Sequence, residues 1–244
     1  MAESRETPFW TKRYAKGVPA FVEDKIEQYN SVLEVFEEAC GRFPTRPSYQ
    51  NMGKSLTYSE LNRKAECFAA FLQNDLKMKK GDRIAIQMPN CLQYPIAMFG
   101  AIKAGLVVVN TNPLYTEREM KFQFNDAGVS TVVIVANFAS NLQKVLGETK
   151  IRHVIVTELG DMLGFPKSLI VNTVVKHVKK MVPSYSLPDA IPFNTVLSRG
   201  ASMTFTRVPM SLDEVSFLQY TGGTTGISKG AMLTHRNLVA NMEQ

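Results

Sequence analysis

The chain has 244 residues, of which 45% are hydrophobic and 20% are charged, and its formal net charge is +6. This composition allows a sizeable buried core and excludes an intrinsically disordered chain. Basic residues are scattered among acidic ones, so no nucleic-acid partner is expected, whereas nucleotides and acidic lipid surfaces fit the positive charge.

Cysteine usage and hydropathy indicate where the protein works. Cys40, Cys67 and Cys91 are odd in number and lack CxxC spacing, which predicts free thiols in a reducing compartment. No apolar run is long enough to span a bilayer, and residues 1–17 lack the basic-then-apolar pattern of a secretory signal. We therefore expect a cytoplasmic protein whose only membrane contact is peripheral, on the inner face of the cell membrane.

The first 30 residues are predicted to form an N-terminal arm. Pro8, Gly17 and Pro19 interrupt it, and its aromatic residues show no clear period. Such aromatic residues usually pack onto the body of the protein or onto a neighbouring subunit, so a homodimer is one expectation. The predicted division is an arm over residues 1–30 and the first part of a larger domain over residues 31–244.

Helices and strands are then predicted in alternation. Helices are expected from Ser31, at 59–72, at 92–104, after a capping box formed by Thr116 and Glu119, and at 138–146. Short apolar strands are expected at 83–88, 106–109, 131–135, 153–156 and 215–220. This order predicts an α/β fold with a mostly parallel sheet and helices on both faces.

Residues 168–182 (SLIVNTVVKHVKKMV) form a predicted basic amphipathic helix. Ile170, Val171, Val174, Val175, Val178, Met181 and Val182 share one helical face, and the opposite face carries Lys176, His177, Lys179 and Lys180. Docking of the apolar face on the core is the more frequent arrangement for such a helix. Contact with an anionic membrane is the alternative.

A polar loop follows the last predicted strand, within residues 219–237 (QYTGGTTGISKGAMLTHRN). Its glycines allow backbone N–H groups to approach an anion, its three threonine hydroxyls can donate to phosphate or ligate Mg²⁺, and Lys229 adds a positive charge. In an α/β sheet, such a loop lies where ligands bind, beyond the carboxyl ends of the strands. The pattern predicts a polyphosphate site.

This loop differs from the common phosphate-binding motifs. The Walker pattern needs G-x-x-x-x-G-K-[ST], but Ile227 follows Gly226, and no G-x-G-x-x-G motif is present. A plain strand-to-helix turn is the alternative, and it accounts for one or two glycines but not for three threonines and a lysine.

Three motifs identify a family resemblance. Residues 220–230 resemble the phosphate loop of the adenylate-forming superfamily, which includes acyl-CoA synthetases, luciferases and amino-acid adenylation domains. Residues 56–61 (LTYSEL) and the KAG-strand segment over 102–113 resemble two further elements of that superfamily, in the same order. The sequences NPLYT (112–116) and AMLTHRN (231–237) look most like the bacterial long-chain-fatty-acid–CoA ligases.

The resemblance implies activation of a fatty acid with ATP, Mg²⁺ and CoA. The carboxylate would form an acyl-adenylate and release pyrophosphate, and the CoA thiol would then displace AMP. No catalytic side chain is assigned. The residues implied to bind the nucleotide are Tyr220, Thr221, Gly222, Gly223, Thr224, Thr225, Gly226, Ile227, Ser228, Lys229, Gly230 and Ala231. The resemblance favours Thr221 as the Mg²⁺ ligand, whereas the residues alone do not choose among the three threonines.

Other residues near these motifs are expected to have structural roles. Thr234 is the predicted N-cap of a helix that begins at His235. His235 could act as a general base or have a structural role, and the structural role is favoured because an ionised carboxylate needs no base. Thr57, Tyr58 and Glu60 are expected to shape a helix start.

The resemblance also implies elements that would follow the phosphate loop, including a carboxylate for Mg²⁺, an adenine pocket and a C-terminal domain. We therefore expect the chain to be the N-terminal portion of a longer enzyme, to make no acyl-CoA by itself and to be prone to self-association. Two alternatives stay open: activation of a different carboxylic acid, and a non-catalytic module that binds nucleotide or membrane. A downstream Y-G-x-T-E motif in the gene would favour an enzyme, and a stop codon would favour the module.

Overall fold

The computed structural model describes residues 9–19, 21–221 and 228–244. The α-helices in this part of the chain are α1 (Glu23–Ile26), α2 (Val32–Arg42), α3 (Tyr58–Asn74), α4 (Gln93–Lys103), α5 (Glu117–Asp126), α6 (Ala139–Val145), α7 (Lys167–Thr173), α8 (Phe193–Gly200) and α9 (His235–Glu243). The strands are β1 (Pro47–Asn51), β2 (Lys54–Thr57), β3 (Arg83–Gln87), β4 (Val107–Asn110), β5 (Thr131–Val135), β6 (His153–Thr157), β7 (Ile191–Pro192), β8 (Val215–Thr221) and β9 (Lys229–Thr234).

A seven-stranded sheet organises the molecule, with strand order β7-β6-β5-β3-β4-β8-β9. Every neighbouring pair is parallel except β8 and β9, which form an antiparallel pair at one edge. A separate antiparallel hairpin is formed by β1 and β2. The predicted α/β fold with a mostly parallel sheet is confirmed.

Both faces of the sheet are buried, and successive residues of each strand point into different cores. Ile84 and Ile86 of β3 pack into a large core with helices α2, α3, α4 and α8. Ala85, between them, packs into a second core with α5 and α6. Because alternate side chains leave opposite faces of a strand, the continuous apolar runs in the sequence follow from this double burial.

Helix starts agree with the sequence pattern at three positions. Thr57 with Glu60, Thr116 with Glu119, and Thr234 with Asn237 each form reciprocal capping boxes. The backbone N–H group and the hydroxyl of Thr57 lower the pKa of the Glu60 carboxyl, as expected when hydrogen bonds favour a carboxylate. Thr57, Tyr58 and Glu60 therefore begin α3, which is the structural role predicted for them.

Several elements were not predicted from the sequence. The sequence predicts no helix or strand at the positions of the β1–β2 hairpin, β7, α8 and β9. Strand β9 begins inside the glycine-rich motif, and none of its residues is buried, so it lacks the buried apolar run that marks the central strands. It is a strand because it pairs along the whole of β8, which is a tertiary contact that local pattern does not show.

The prediction of one regular helix over 168–182 was wrong. Helix α7 ends at Thr173, a π-helical turn follows over Val174–Val178, and Lys180 adopts a positive φ of 51°. No residue of α7 or of this turn is buried. Val171, Val174 and Val175 are half-buried, whereas Ile170 and Val178 are exposed, so the apolar residues do not dock on the core as one face.

The N-terminal segment has two kinds of contact. Phe9 and Trp10 lie in a short 3₁₀ helix (Phe9–Arg13) and are exposed, while Val22 and Ile26 pack with Val239 of α9. Packing onto the body therefore begins before residue 30. None of the described helices is long and apolar enough to cross a bilayer.

Candidate phosphate-binding site

The candidate site lies at the carboxyl ends of β3, β4 and β8. Strand β8 ends at Thr221 and β9 begins at Lys229, and these two residues are paired across the strands. The two ends of the predicted phosphate loop are therefore adjacent, and they lie at the edge of the sheet where α/β proteins bind ligands.

Half of the predicted loop lies outside the described residues, namely Gly222, Gly223, Thr224, Thr225, Gly226 and Ile227. The described site residues are Tyr220, Thr221, Ser228, Lys229, Gly230 and Ala231. The Ser228 hydroxyl donates a hydrogen bond to the Thr221 carbonyl at 2.9 Å, which closes the base of the loop. Thr221 and Lys229 are exposed, so both side chains are accessible to a ligand.

Tyr220 fixes the start of the loop. Its ring is buried in the second core, and its hydroxyl donates a hydrogen bond to the Asp126 carboxylate at the end of α5. Burial, together with this hydrogen bond to a carboxylate, raises the pKa of the Tyr220 hydroxyl. The side chain therefore serves packing and anchoring.

Gly230 fixes the other end. It pairs with Tyr220, and a Cβ atom at this position would lie 2.9 Å from two ring carbons of Tyr220. The glycine is required because the tyrosine ring covers it, independently of any phosphate. Ala231 is exposed and pairs with Gln219 on β8.

A polar cavity of about 500 Å³ adjoins the ends of these strands. Its wall includes Tyr94 of α4, Asn110 of β4, and Gln219 and Tyr220 of β8. The Tyr94 hydroxyl donates to Asn110 Oδ1 at 2.9 Å, and Asn110 Nδ2 donates to Gln219 Oε1 at 2.9 Å. This chain of hydrogen bonds ties β8 to β4 and α4 two residues before Thr221.

Two buried amides hold the wall of that cavity in place. Gln123 Nε2 donates to the Asn110 carbonyl at 2.9 Å, and Gln87 Nε2 donates to the Asn112 carbonyl at 3.3 Å. Neither Oε1 atom has a hydrogen-bond partner among the described residues. The sequence analysis missed these residues, although a signal was present: β3, β4 and β8 each carry Gln or Asn at or near their carboxyl ends.

His235 lies at the opposite edge of the sheet from the loop. Because β9 runs antiparallel to β8, its last residue Thr234 pairs with Val215 at the amino end of β8. The His235 backbone N–H donates to the Glu214 carbonyl at 3.1 Å, and burial of the imidazole lowers its pKa. This position excludes a general-base role at the loop and agrees with the structural role favoured for it.

The described residues contain no group of three or more His, Cys, Asp or Glu side chains placed to hold a metal ion. Hydroxyl groups at the loop could serve, together with phosphate oxygens of a ligand, as oxygen donors of the kind that Mg²⁺ prefers. The Thr221 hydroxyl, exposed at the end of β8 opposite Lys229, fits that requirement. The three cysteines are free thiols.

A family model described as AMP-binding enzyme matches residues 36–244. The chain belongs to the AMP-binding enzyme family. It is 49% identical over 235 residues to a long-chain-fatty-acid–CoA ligase of Salmonella typhimurium, a match that covers 96% of this chain and 42% of that protein. The chain thus spans less than half the length of this relative.

Solved structures of this family share the fold. A long-chain-fatty-acid–CoA ligase from Archaeoglobus fulgidus matches with a TM-score of 0.65 and 23% identity, over 87% of this chain and 38% of that one. An anthranilate–CoA ligase solved with anthranoyl-AMP matches with a TM-score of 0.69 and 15% identity, over 85% and 35% of the two chains. At these identities the similarity concerns the fold alone.

Proposed function

We propose that this chain forms part of a ligase that activates long-chain fatty acids as CoA thioesters. The observation that carries the proposal is the threonine- and lysine-bearing loop at the carboxyl edge of an AMP-binding enzyme sheet, closed between Thr221 and Lys229. The choice of a long-chain acid rests on the 49% identity to the Salmonella typhimurium ligase.

The reaction would take place in two displacements. A carboxylate oxygen of the fatty acid attacks the α-phosphorus of ATP, and pyrophosphate leaves with the electron pair of the broken P–O bond. The sulfur of CoA then attacks the acyl carbon of the adenylate, loses its proton, and displaces AMP.

The residues of this chain would act on the phosphates. The Lys229 ammonium and the backbone and hydroxyl donors of residues 221–230 would hold the β- and γ-phosphates, where they stabilise the charge that develops on pyrophosphate. Mg²⁺, with Thr221 as its proposed protein ligand, would neutralise part of that charge. Tyr220 and Gly230 keep the two ends of the loop together and leave Lys229 directed outward.

The remaining parts of the proposal concern location and partners. A cytoplasmic protein that contacts an anionic membrane peripherally would suit a water-insoluble substrate. Association as a homodimer is a further proposal, motivated by the exposed aromatic residues Phe9 and Trp10 near the N-terminus.

A different carboxylic acid is the first alternative substrate, because similar folds occur in a ligase that acts on anthranilate. A non-catalytic module that binds nucleotide through the loop is the second alternative. The two differ in whether ATP is consumed.

Exchange of radiolabelled pyrophosphate into ATP tests the proposal, in the complete natural protein that contains this sequence. Exchange that depends on palmitate or oleate, and that is at least tenfold faster than with benzoate or acetate, is the expected result. Exchange that depends only on benzoate or acetate would show that the substrate is not a long-chain acid. ATP binding without exchange in the presence of any of these acids would favour the non-catalytic module.

A further inference from the structure

We propose that Gln219 donates a hydrogen bond to a phosphate oxygen of the nucleotide, and that Asn110 orients the Gln219 amide for this contact. The assignment rests on the proposed function, because it assumes that the β8–β9 loop holds a polyphosphate. Neither residue lies within 220–230, the segment that resembles the phosphate loop of the family. Gln219 therefore adds a phosphate contact from outside the glycine-rich loop, and Asn110 is a positioning residue.

The pairing of β4 with β8 ends at these two residues. Asn110 and Gln219 form the last parallel pair of the two strands, and β4 ends at Asn110. Strand β8 continues to Thr221, where it is paired with β9 on its other side. The side-chain hydrogen bond from Asn110 Nδ2 to Gln219 Oε1, at 2.9 Å, therefore holds β8 to β4 at the point where β8 leaves its neighbour.

The hydrogen bonds of Asn110 determine which end of the Gln219 amide is free. The Tyr94 hydroxyl donates to Asn110 Oδ1 at 2.9 Å, so Asn110 turns its Nδ2 atom toward Gln219. Gln219 Oε1 accepts that bond, and Gln219 Nε2 has no hydrogen-bond partner within residues 9–19, 21–221 and 228–244. Because an amide nitrogen carries two N–H groups, the chain of hydrogen bonds ends in free donors.

Gln219 shares a face of β8 with the proposed Mg²⁺ ligand. Both Gln219 and Thr221 belong to this strand, and side chains two residues apart leave the same face of a strand. Their Cα atoms are about 7 Å apart along a strand of ordinary geometry. A chain of linked phosphate groups that meets the Thr221 hydroxyl therefore extends far enough to meet the Gln219 amide.

The cavity beside Gln219 suits an anion that binds through neutral donors. Its volume is about 500 Å³, and none of its described lining residues is Asp, Glu, Lys or Arg. The wall therefore presents no carboxylate that would repel a phosphate group or compete for the Gln219 donors. Neutral N–H groups that are fixed before the ligand arrives stabilise an oxyanion without a reorganisation cost.

Asn110 is itself fixed through its backbone. The Gln123 amide, whose side chain is 1% exposed, donates to the Asn110 carbonyl at 2.9 Å. The N–H of the next residue, Thr111, donates to the Ile86 carbonyl at 3.1 Å. Because these bonds do not involve the Asn110 side chain, its removal should free the Gln219 amide to rotate while β4 stays in place.

Calorimetric titration of Mg·ATP into the complete natural protein tests the proposal with three variants. Gln219→Met removes the amide and keeps a side chain of similar length. Gln219→Glu keeps an acceptor for Asn110 and replaces the N–H donors with a charged oxygen. Asn110→Ala leaves the Gln219 amide present but unoriented. The control is Asn74→Ala at the end of α3, which loses a side-chain hydrogen bond to the Thr204 carbonyl outside the candidate site.

Gln219→Met should weaken Mg·ATP binding by roughly tenfold or more, because a hydrogen bond to a charged oxygen is lost. Gln219→Glu should weaken it further by repulsion, and Asn110→Ala should weaken it by roughly three- to tenfold. The control should match wild type. Adding Asn110→Ala to Gln219→Met should cause no further loss, because Asn110 acts through Gln219, whereas two independent structural effects would add.

Unchanged Mg·ATP affinity in Gln219→Met would overturn the inference and leave the proposed function standing. Wild-type affinity in Gln219→Glu would also overturn it, because the free end of the Gln219 amide would then not act as a donor. Additive losses in the double variant would overturn the positioning role of Asn110. Failure of the wild type itself to bind Mg·ATP would instead overturn the assignment of the β8–β9 loop, and this inference with it.

Discussion

Two segments at the carboxyl edge of the sheet, one between β8 and β9 and one after β6, are held to the core in different ways. The segment between β8 and β9 is flanked by buried Tyr220, whose ring covers Gly230 on the neighbouring strand and whose hydroxyl is hydrogen-bonded to Asp126. The segment after β6 is held by a few hydrogen bonds and leaves its large apolar side chains in solvent. Three strands, β4, β3 and β5, separate β8 from β6.

The comparison shows that the ends of a ligand-binding loop need closer packing against the core than an exposed surface segment does. A loop that holds a polyphosphate needs donors fixed in one arrangement, and the close packing of Tyr220 against Gly230 holds the two ends of this loop together. The segment after β6 is attached to the core by a few hydrogen bonds, and its large apolar side chains take no part in that attachment. Substitutions next to the β8–β9 loop should therefore affect both protein stability and ligand binding. Substitutions of the exposed side chains after β6 should leave protein stability almost unchanged.

The largest stability effect in this comparison should come from Gly230→Ala. The new methyl group would meet the Tyr220 ring at 2.9 Å, and relief of that overlap should cost about 1–3 kcal/mol of unfolding free energy. Urea denaturation measures the change.

The matched control for that substitution is Gly41→Ala. A Cβ atom at Gly41 meets nothing within 4 Å, and the residue lies inside α2, so alanine should stabilise the protein by up to about 1 kcal/mol. Equal effects of the two substitutions would show that Gly230 is not constrained by Tyr220.

Removal of the Tyr220 hydroxyl should have a smaller effect. Tyr220→Phe loses the hydrogen bond to Asp126. Because the Asp126 carboxylate is exposed, water can solvate it in the variant, so the unfolding free energy should fall by about 1 kcal/mol. A double-mutant cycle with Asp126→Ala isolates the pair, and a coupling energy near zero would contradict the anchoring role.

His235 should make stability depend on acidity. Burial lowers the pKa of its imidazole below the ordinary value of 6.5, so the unfolded chain binds the proton more readily than the folded protein does. Unfolding free energy should therefore be constant above about pH 7 and fall as the pH drops below 6.5, by at most about 1.4 kcal/mol per pH unit for this group.

His235→Gln should flatten that part of the pH–stability curve, measured by urea denaturation between pH 4.5 and 8. His153→Gln serves for comparison, because burial also lowers the pKa of this half-buried imidazole on β6 and its effect should be smaller. An unchanged slope in the His235 variant would contradict its burial.

The smallest stability effect should come from the exposed side chains of the segment that follows β6. Leu169→Gln removes an apolar side chain that is 61% exposed, so unfolding free energy should change by less than about 0.5 kcal/mol. In contrast, Leu142→Ala in α6, where the side chain is fully buried, should cost about 2–5 kcal/mol. A loss of more than 1 kcal/mol at Leu169 would place that side chain in the packed interior.

The central sheet was predictable because local and tertiary preferences agree there. The runs at β3 and β5 are buried on both faces, which gives continuous apolar sequence, and the Thr116–Glu119 capping box begins α5 without help from distant residues. The boundaries at 92–104 and 106–109 differ from the observed α4 and β4 by one residue at each end.

Elements that depend on distant partners were not predictable. Strand β9 exists through its pairing with β8, and the clamp of Gln87 and Gln123 on the end of β4 joins residues from three separate elements. In residues 168–182, helical periodicity was visible but the π-helical turn was not, since nothing in the residue types marks a change of hydrogen-bond register. The phosphate site at the loop stays a prediction, which rests on glycine, threonine and lysine having few other reasons to occur together.

Titration of Mg·ATP by isothermal calorimetry tests the central claim that the β8–β9 loop binds polyphosphate. The complete natural protein is compared with its Lys229→Ala variant and with Lys150→Ala, which removes an exposed lysine elsewhere. A lost charge-assisted contact should weaken binding by roughly 10- to 100-fold in the Lys229 variant, while the control should match wild type. Equal affinity of all three proteins for Mg·ATP would contradict the assignment of this loop.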